Sequence, residues 1–298
     1  MSLTIERWVG PSPEQWGMII EGMRNPKNSW HLMDSDITYI VNPETLQSAD
    51  FEFFMGEKDH DLAMRLATGG PVHAKYRRMI PVWVDIVAPL YWWKEFDTYK
   101  VGTVANSCST MHKIHAKEFT LEDFSHEHLG KLAMFDLEST IHLLNMYRDL
   151  FVNWDKVDDN SKNAMLNDLV HEDGYHKKDV WWQMIQLLPS SYNQKRTVLL
   201  NYEVLHNIYY SRKGHKLDEW KVLLDWIEKL PYADLILAKN YGDPEAIPTN
   251  RKLPTMDDLT MISDKELELY ILKLFEGYAE RLGEGALEAL FGSEEKND

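Results

Sequence analysis

The residues best suited to chemistry lie in one stretch, where aromatic and basic side chains run into a series of short hydroxyl side chains. Residues 92–100 combine four aromatic residues with Lys94 and Lys100, and residues 101–113 are rich in Ser, Thr and Asn. Rings and an ammonium group beside hydroxyl donors could hold a planar ring and a phosphate. The alternative interpretation is that Trp92, Trp93 and Phe96 are core residues and that the charges form a solvated face.

A nucleophilic site is a weaker hypothesis for the same stretch. Cys108 and Ser109 lie within a few residues of His112, so a hydrolase with a Cys or Ser nucleophile is conceivable. Such neighbours arise often by chance, and a polar turn after a helix explains them equally well. The sequence contains no glycine loop of the Gly-x-Gly-x-x-Gly or Walker type, so it does not indicate a dinucleotide fold or a P-loop enzyme. It singles out no catalytic residue.

The twelve His residues suggest a metal site, but their spacing does not support one. His171 and His176 are five residues apart with Gly174 between them. A zinc-binding helix needs a separation of four, so that both imidazoles share one face. We therefore expect no metal ion.

Composition excludes several classes of protein. The 298 residues include 32 Lys and Arg against 48 Asp and Glu, a formal charge of −16, which would repel a nucleic-acid polymer. The single Cys permits no internal disulfide. The most apolar run, 79–93, contains Asp85 and is shorter than the ~20 residues of a membrane helix, and residues 1–10 do not have the pattern of a secretory signal. We expect a cytoplasmic protein.

Helix caps and hydrophobic periodicity predict the elements that position these residues. Ser12-Pro13 begins a helix that Asn25-Pro26 ends, and Asp59 caps a second helix that stops at Gly69-Gly70. Alternating apolar residues predict a strand at 79–86, and Pro81 in it indicates a sheet edge or an irregularity. Further predicted elements are a short strand at 36–41 and helices at 89–102, 136–153, 197–211 and 216–230.

The order of these elements predicts one α+β domain, residues 1–240, in which helices surround a small sheet. Residues 240–254 are rich in Asn, Gly and Pro and are typical of a linker. A last helix at 264–291 and an acidic tail follow. Residues 241–298 are therefore expected to form a C-terminal helical appendage.

The order of features resembles the flavin-dependent thymidylate synthase family. In that family a helix ends in a glycine turn, a strand leads to Ala-Pro, and the next helix carries an Arg-His-Arg triplet. Here the helix at 62–70, the strand at 80–89 that ends in Ala88-Pro89, and the helix from Trp93 onward follow the same order. Thr98, Tyr99 and Lys100 fall on the triplet.

The resemblance continues beyond the triplet into a second block. Ser109 and His112 fall on the Ser and Tyr of the family's closing Ser-x-Arg-Tyr. The family then has a Leu-Pro, an Asn that contacts the flavin, and an Arg that holds the pyrimidine base. Leu188-Pro189 is followed twelve residues later by Asn201, and Arg212 comes eleven residues after that. Both blocks follow the family's order and spacing over residues 56–220.

The sequence also departs from the family at charged positions. Of the triplet only Lys100 is a cation, without the planar fork of Arg. Met111 and Ile185 stand where the family has arginines that grip the nucleotide phosphate, and neither side chain can make a charge-assisted hydrogen bond. A second hypothesis is therefore a non-catalytic nucleotide-binding or assembly protein that retains the fold and the oligomer.

The resemblance implies a small antiparallel sheet surrounded by helices and an enzyme of reductive one-carbon transfer to a dUMP-like pyrimidine nucleotide or a similar small anion. It implies FAD as the cofactor, with NADPH and methylenetetrahydrofolate as co-substrates, and a homotetramer whose subunits share each site. No membrane or nucleic-acid partner is expected. The implied flavin contacts are Thr98, Tyr99, Lys100 and Asn201, and the implied substrate contacts are Glu95, Ser109, His112 and Arg212.

Overall fold

A computed structural model describes residues 3–41 and 49–239 of the chain. Within these ranges the strands are β1 (Thr4–Val9), β2 (Asp36–Val41), β3 (Ala49–Phe54), β4 (Pro81–Pro89), β5 (Val104–Ser107) and β6 (Asn193–Asn201). The helices are α1 (Pro13–Arg24), α2 (Glu57–Thr68), α3 (Leu90–Phe96), α4 (Lys131–Val152), α5 (Asp159–Leu166), α6 (Lys177–Leu187), α7 (Tyr202–Arg212), α8 (Asp218–Ile227) and α9 (Ala233–Leu237).

A small antiparallel sheet surrounded by helices organises the described part of the chain, as the sequence predicts. Its strands have the order β1-β4-β6-β5, and β2 and β3 form a separate hairpin. Strand β4 contacts both β1 and β6, so it lies inside the sheet rather than at an edge. Pro81 is tolerated there because it is the first residue of the strand, as proline in a sheet commonly is.

One face of the sheet supports the main core. The side chains of Val82, Val84 and Ile86 alternate inward from β4 and are almost fully buried, as are Val198 and Leu200 of β6. Helices α1, α3, α7 and α8 contribute large rings to the same core. The most deeply buried of these rings belong to Trp92, Trp93, Phe96, Tyr202 and Trp220.

Local signals in the sequence predict several elements correctly. Ser12 is the N-cap of α1: its hydroxyl accepts from the backbone N of Gln15, whose side chain accepts from the Ser12 backbone N. Strand β2 has the predicted bounds, and β4 contains the predicted alternation. Helix α3 begins directly after Pro89, where the sequence places its start, but ends at Phe96 rather than near 102.

Two local predictions are wrong. Residues 197–201 are the end of β6 rather than helical, and α7 begins only at Tyr202. The error is understandable because Leu200, Val204 and Ile208 are four residues apart, a spacing that suits a helix even though only the last two belong to one. Asp59 is not the cap of α2, which is Gly56; it lies in the first turn and forms a buried ion pair with Arg24.

Helices α4 and α6 pack together around a second core, which includes Leu137, Leu144, Met184 and Phe124. No helix in the described ranges is both long enough and apolar enough to cross a bilayer. The predicted linker at 240–254, the last helix at 264–291 and the acidic tail lie outside the described residues. The domain boundary at residue 240 therefore stays a prediction.

Candidate functional site

Helix α3 is fixed to the sheet by its aromatic side chains. Trp93 donates its indole N–H to the carbonyl of Gln194 on β6 at 2.9 Å, and Trp92 and Phe96 are buried in the main core. These three rings are therefore core residues, which is the alternative interpretation that the sequence leaves open. The helix anchored in this way sets the position of Glu95 and of the segment that follows Phe96.

Arg212, at the end of α7, joins the two blocks of sequence that carry the family resemblance. Its Nε donates to the hydroxyl of Tyr99 at 2.9 Å, and its Nη1 lies 3.0 Å from Oε2 of Glu95. The guanidinium carbon lies 4.6 Å from the ring centroid of Trp220. Only 14% of the Arg212 side chain is exposed, so these contacts hold the cation in one orientation.

Asn201 lies against the same segment from the other side. It is the N-cap of α7, because its Oδ1 accepts from the backbone N of Val204 at 3.1 Å. Gly102 has φ of 78°, and a Cβ there would lie 3.2 Å from Asn201 Nδ2 and 3.1 Å from Val204 Cγ2. Residue 102 must therefore be small, and the chain after α3 passes close to the start of α7.

A cavity of about 260 Å³ lies beside this segment. Thr103 lines it, and the hydroxyl Oγ1 of this residue is buried without a hydrogen-bond partner among the described residues. The lining residues thus include the aromatic ring of Tyr99, the hydroxyl of Thr103 and the ammonium group of Lys100. Its lining residues are Phe96, Asp97, Tyr99, Lys100, Thr103 and Ala105.

An ion pair fixes one wall of the cavity. Arg196 of β6 donates from Nη1 to Oδ1 of Asp97 at 2.8 Å, and its guanidinium carbon lies 4.3 Å from the centroid of the Trp93 ring. Because Arg196 occupies the Asp97 carboxylate, the charge of Lys100 is not opposed by that group. The Arg196–Asp97 pair is neutral, so Lys100 leaves one net positive charge among these three side chains at the cavity.

Thr98 takes part in the end of helix α3 rather than in the cavity lining. Its hydroxyl donates to the carbonyl of Glu95 at 2.8 Å, which occupies the donor within the same turn. Of the residues implied to contact the flavin, Tyr99 and Lys100 line the cavity and Asn201 lies beside Gly102.

Ser109 and His112 lie elsewhere in the same chain. Ser109 Oγ accepts from the backbone N of His112 at 2.9 Å in an exposed turn after β5. The preceding residue, Cys108, pairs with Lys195 of β6, whereas Asn201 ends that strand. Six residues of strand correspond to roughly 20 Å, so one protomer does not bring Ser109 to Asn201.

A carboxylate on the outer face of the sheet is held in its charged form. Asp85 accepts from the hydroxyl of Thr197 at 2.6 Å and from Nε of Arg7 at 2.7 Å. These hydrogen bonds, that of Thr197 first, lower the pKa of Asp85 to about 2. The group is thus a fixed anion at neutral pH and has the pattern of a structural ion pair rather than of an acid or base.

Sequence reasoning missed three contributors to this site. Trp220 lies in a different helix and is visible in the sequence only as an apolar position of α8. Arg196 lies just before the helix predicted from residue 197, and no motif in the sequence singles it out. The sequence does indicate Gly102, as a glycine at the end of a predicted helix. Its contact with Asn201, however, depends on tertiary structure.

Comparison with known proteins gives a weak structural likeness. No family model matches the sequence, and no curated protein matches it. A crystal structure of thymidylate synthase X (ThyX) from Helicobacter pylori with FAD and dUMP is similar at a TM-score of 0.49 and 13% identity, covering 80% of this chain and 97% of that chain. A second structure of that enzyme with FAD and dUMP has a TM-score of 0.45 at the same identity and coverage. Likeness at this level says nothing of the ligands that this chain binds.

Proposed function

We propose that this protein is a flavin-dependent enzyme of the thymidylate synthase type, which binds FAD and transfers a one-carbon unit reductively to a pyrimidine nucleotide. One observation carries the proposal. The two sequence blocks that resemble the family, 113 residues apart at Tyr99 and Arg212, meet at 2.9 Å beside a cavity that has a ring, a hydroxyl and an ammonium group in its wall.

The residues of the cavity suit part of a flavin cofactor. Tyr99 offers an aromatic surface, Lys100 a cation for phosphate, and Thr103 a buried hydroxyl without a partner. Asn201 Nδ2 lies at the adjoining edge, near Gly102. Bound there, a flavin would supply hydride chemistry, whereas the side chains of this chain would orient the ring and neutralise the phosphates.

The volume of the cavity supports a shared site. About 260 Å³ is less than the roughly 300–1,000 Å³ of pockets that enclose drug-sized ligands, so it has room for one part of a dinucleotide. A neighbouring protomer of a homotetramer would supply the remaining wall. Ser109 and His112, which lie away from Asn201 in one chain, would reach the substrate phosphate from such a neighbour.

Arg212 is the proposed contact to the pyrimidine base. Its guanidinium is oriented by Glu95, Tyr99 and Trp220, which reduces the entropy lost when it engages a ligand. NADPH and methylenetetrahydrofolate are the proposed co-substrates, by the family resemblance.

Thr103→Val tests the cofactor site with little structural disturbance. Valine has nearly the same shape but lacks the hydroxyl, so folding stability should stay equal or rise while FAD affinity falls about tenfold, as one lost hydrogen bond predicts. Flavin fluorescence quenching would measure the affinity and urea unfolding the stability. Equal FAD affinity in both proteins would contradict the proposed site.

Arg212→Ala tests the substrate site. We expect binding of dUMP to the FAD-loaded protein to fall by at least about tenfold, because a charge-assisted contact is lost. Lys213→Ala removes the neighbouring exposed cation and should leave binding unchanged. An unchanged affinity in Arg212→Ala would discard this role, and binding of dUMP without any flavin would indicate a nucleotide-binding protein without redox chemistry.

A further inference from the structure

A tight turn before α6 brings together three side chains that can bind a metal ion. His171 and Gly174 pair through two backbone hydrogen bonds of 3.0 Å each, and Gly174 has φ of 108°. This turn reverses the chain, so that His176, the N-cap of α6, returns beside His171. Asp179 follows in the first turn of α6.

The donor atoms of these residues are close together. Nε2 of His171 lies 2.8 Å from Oδ2 of Asp179, and the rings of His171 and His176 are parallel with centroids 4.2 Å apart. One ligand atom from each of the three side chains lies within 4.8 Å of the other two. We propose that His171, His176 and Asp179 bind one divalent transition-metal ion of the zinc type.

The distances fit such an ion after small side-chain movements. Zinc bonds of about 2.0–2.1 Å in a tetrahedron place neighbouring ligand atoms roughly 3.3 Å apart. The His171–Asp179 pair is within about 0.5 Å of that spacing, and the largest separation needs a change of about 1.5 Å. Both imidazoles are about half exposed, so their rings turn without disturbing the core.

The kind of donor selects the kind of metal. Two imidazoles and one carboxylate suit Zn²⁺ and its neighbours in the first transition row, whereas Mg²⁺ and Ca²⁺ prefer sites made of oxygen ligands. Three protein ligands leave a fourth position for water. The ion would connect the 171–176 turn to the first turn of α6 and so stabilise that segment.

A fourth residue orients one of the ligands. Nε2 of His176 lies 2.9 Å from Oδ1 of Asp173, so this carboxylate favours the tautomer that leaves Nδ1 available. A carboxylate behind a histidine ligand is a common feature of zinc sites.

The sequence predicts no metal ion here because both imidazoles are assumed to lie on one helix. The structure does not meet this assumption. A spacing of five residues cannot place two imidazoles on one helix face. His171, however, precedes α6, and the turn at Gly174 supplies the approach that helical spacing cannot. None of these residues belongs to the proposed flavin and substrate sites, so the two proposals stand independently.

Metal titration of the full chain, free of any affinity tag and treated with a chelator, tests the proposal. Calorimetry with Zn²⁺ should give one equivalent per chain, and Co²⁺ should give the intense visible bands of a tetrahedral ion, at longer wavelength than flavin absorption. His171→Ala, His176→Ala and Asp179→Asn should each weaken Zn²⁺ binding by at least about 100-fold, and Asp173→Asn by about 10- to 100-fold.

His128→Ala provides the matched control. His128 is exposed and also pairs with a carboxylate, that of Asp218 at 3.0 Å, but it belongs to no group of three ligands in the described part of the chain. Its removal should leave Zn²⁺ affinity unchanged. Absence of saturable binding at one equivalent, or undiminished binding in both His171→Ala and Asp179→Asn, would reduce the cluster to an ordinary His–Asp hydrogen bond and overturn the proposal. Far-UV circular dichroism verifies that each variant is folded.

Discussion

Arg212 owes its position to contacts with residues from three separate segments. Glu95 belongs to α3, Tyr99 to the following segment and Trp220 to α8. Spacing along the chain singles out Arg212 and Asn201 through the family resemblance. It does not show that Trp220 packs on the cation, because any apolar position of α8 has the same appearance in the sequence.

The contact between Arg212 and Glu95 should be measurable as a coupling energy. Arg212→Ala is expected to destabilise the fold by about 1–3 kcal/mol, because it removes a partly buried ion pair and a cation–π contact. With Glu95→Ala, a double-mutant cycle by urea unfolding should give a coupling of at least about 0.5 kcal/mol. The exposed pair Arg65–Asp61 is the control and should couple less strongly. Additive effects at 212 and 95 would mean that the pair does not form in solution.

Asp85 should make stability depend on acid pH. Its pKa in the folded protein is about 2, below the ~3.9 of an unfolded Asp, so its stabilising effect is complete above the unfolded value and is lost as pH falls towards 2. Asp85→Asn should therefore lower the thermal midpoint at pH 7, and the difference from wild type should shrink between pH 4 and pH 2. A difference that stays constant over this range would contradict the hydrogen bonds from Thr197 and Arg7.

At the scale of elements, local signals predict the start of α1 and the pattern of β4, but they miss strand β5 and the start of α7. The cap at Ser12 and the alternation in β4 depend on neighbouring residues, and both are present in the structure. Strand β5 is four residues long and exposed throughout, so no buried face produces a pattern. The end of β6 was predicted as helical because apolar residues four apart cross the junction with α7.

Gly102 should be intolerant of a side chain for two separable reasons. Gly102→Ala adds left-handed backbone strain of about 1–2 kcal/mol and crowding against Asn201 and Val204. Gly214 has nearly the same φ, 76°, but has open space where a Cβ would lie, so Gly214→Ala carries the strain alone. Urea unfolding should show a larger loss for Gly102→Ala, and FAD affinity should fall only in that variant. Equal losses of stability would mean that the segment after α3 does not pack on α7.

At the scale of the whole molecule, the proposed site requires more than one copy of the chain. The outer face of the sheet exposes an apolar row in register, Val9, Trp83 and Val104, together with the partly buried Leu199. Within residues 3–41 and 49–239 this apolar sheet surface is uncovered, as it is in separated subunits of oligomers.

Light scattering coupled to gel filtration tests the assembly. We expect a mass four times that of the 35.0 kDa chain, because the family resemblance implies a homotetramer. A monomer at micromolar concentration would contradict the shared site, since one chain does not bring Ser109 and His112 to Asn201.

The visible absorption spectrum of the purified chain, alone and with one equivalent of FAD, tests the central claim most directly. The account predicts a yellow protein with the two bands of oxidised flavin, or a colourless one that takes up FAD stoichiometrically and gains thermal stability. A sample that stays colourless through gel filtration with FAD and whose thermal midpoint does not move would contradict it.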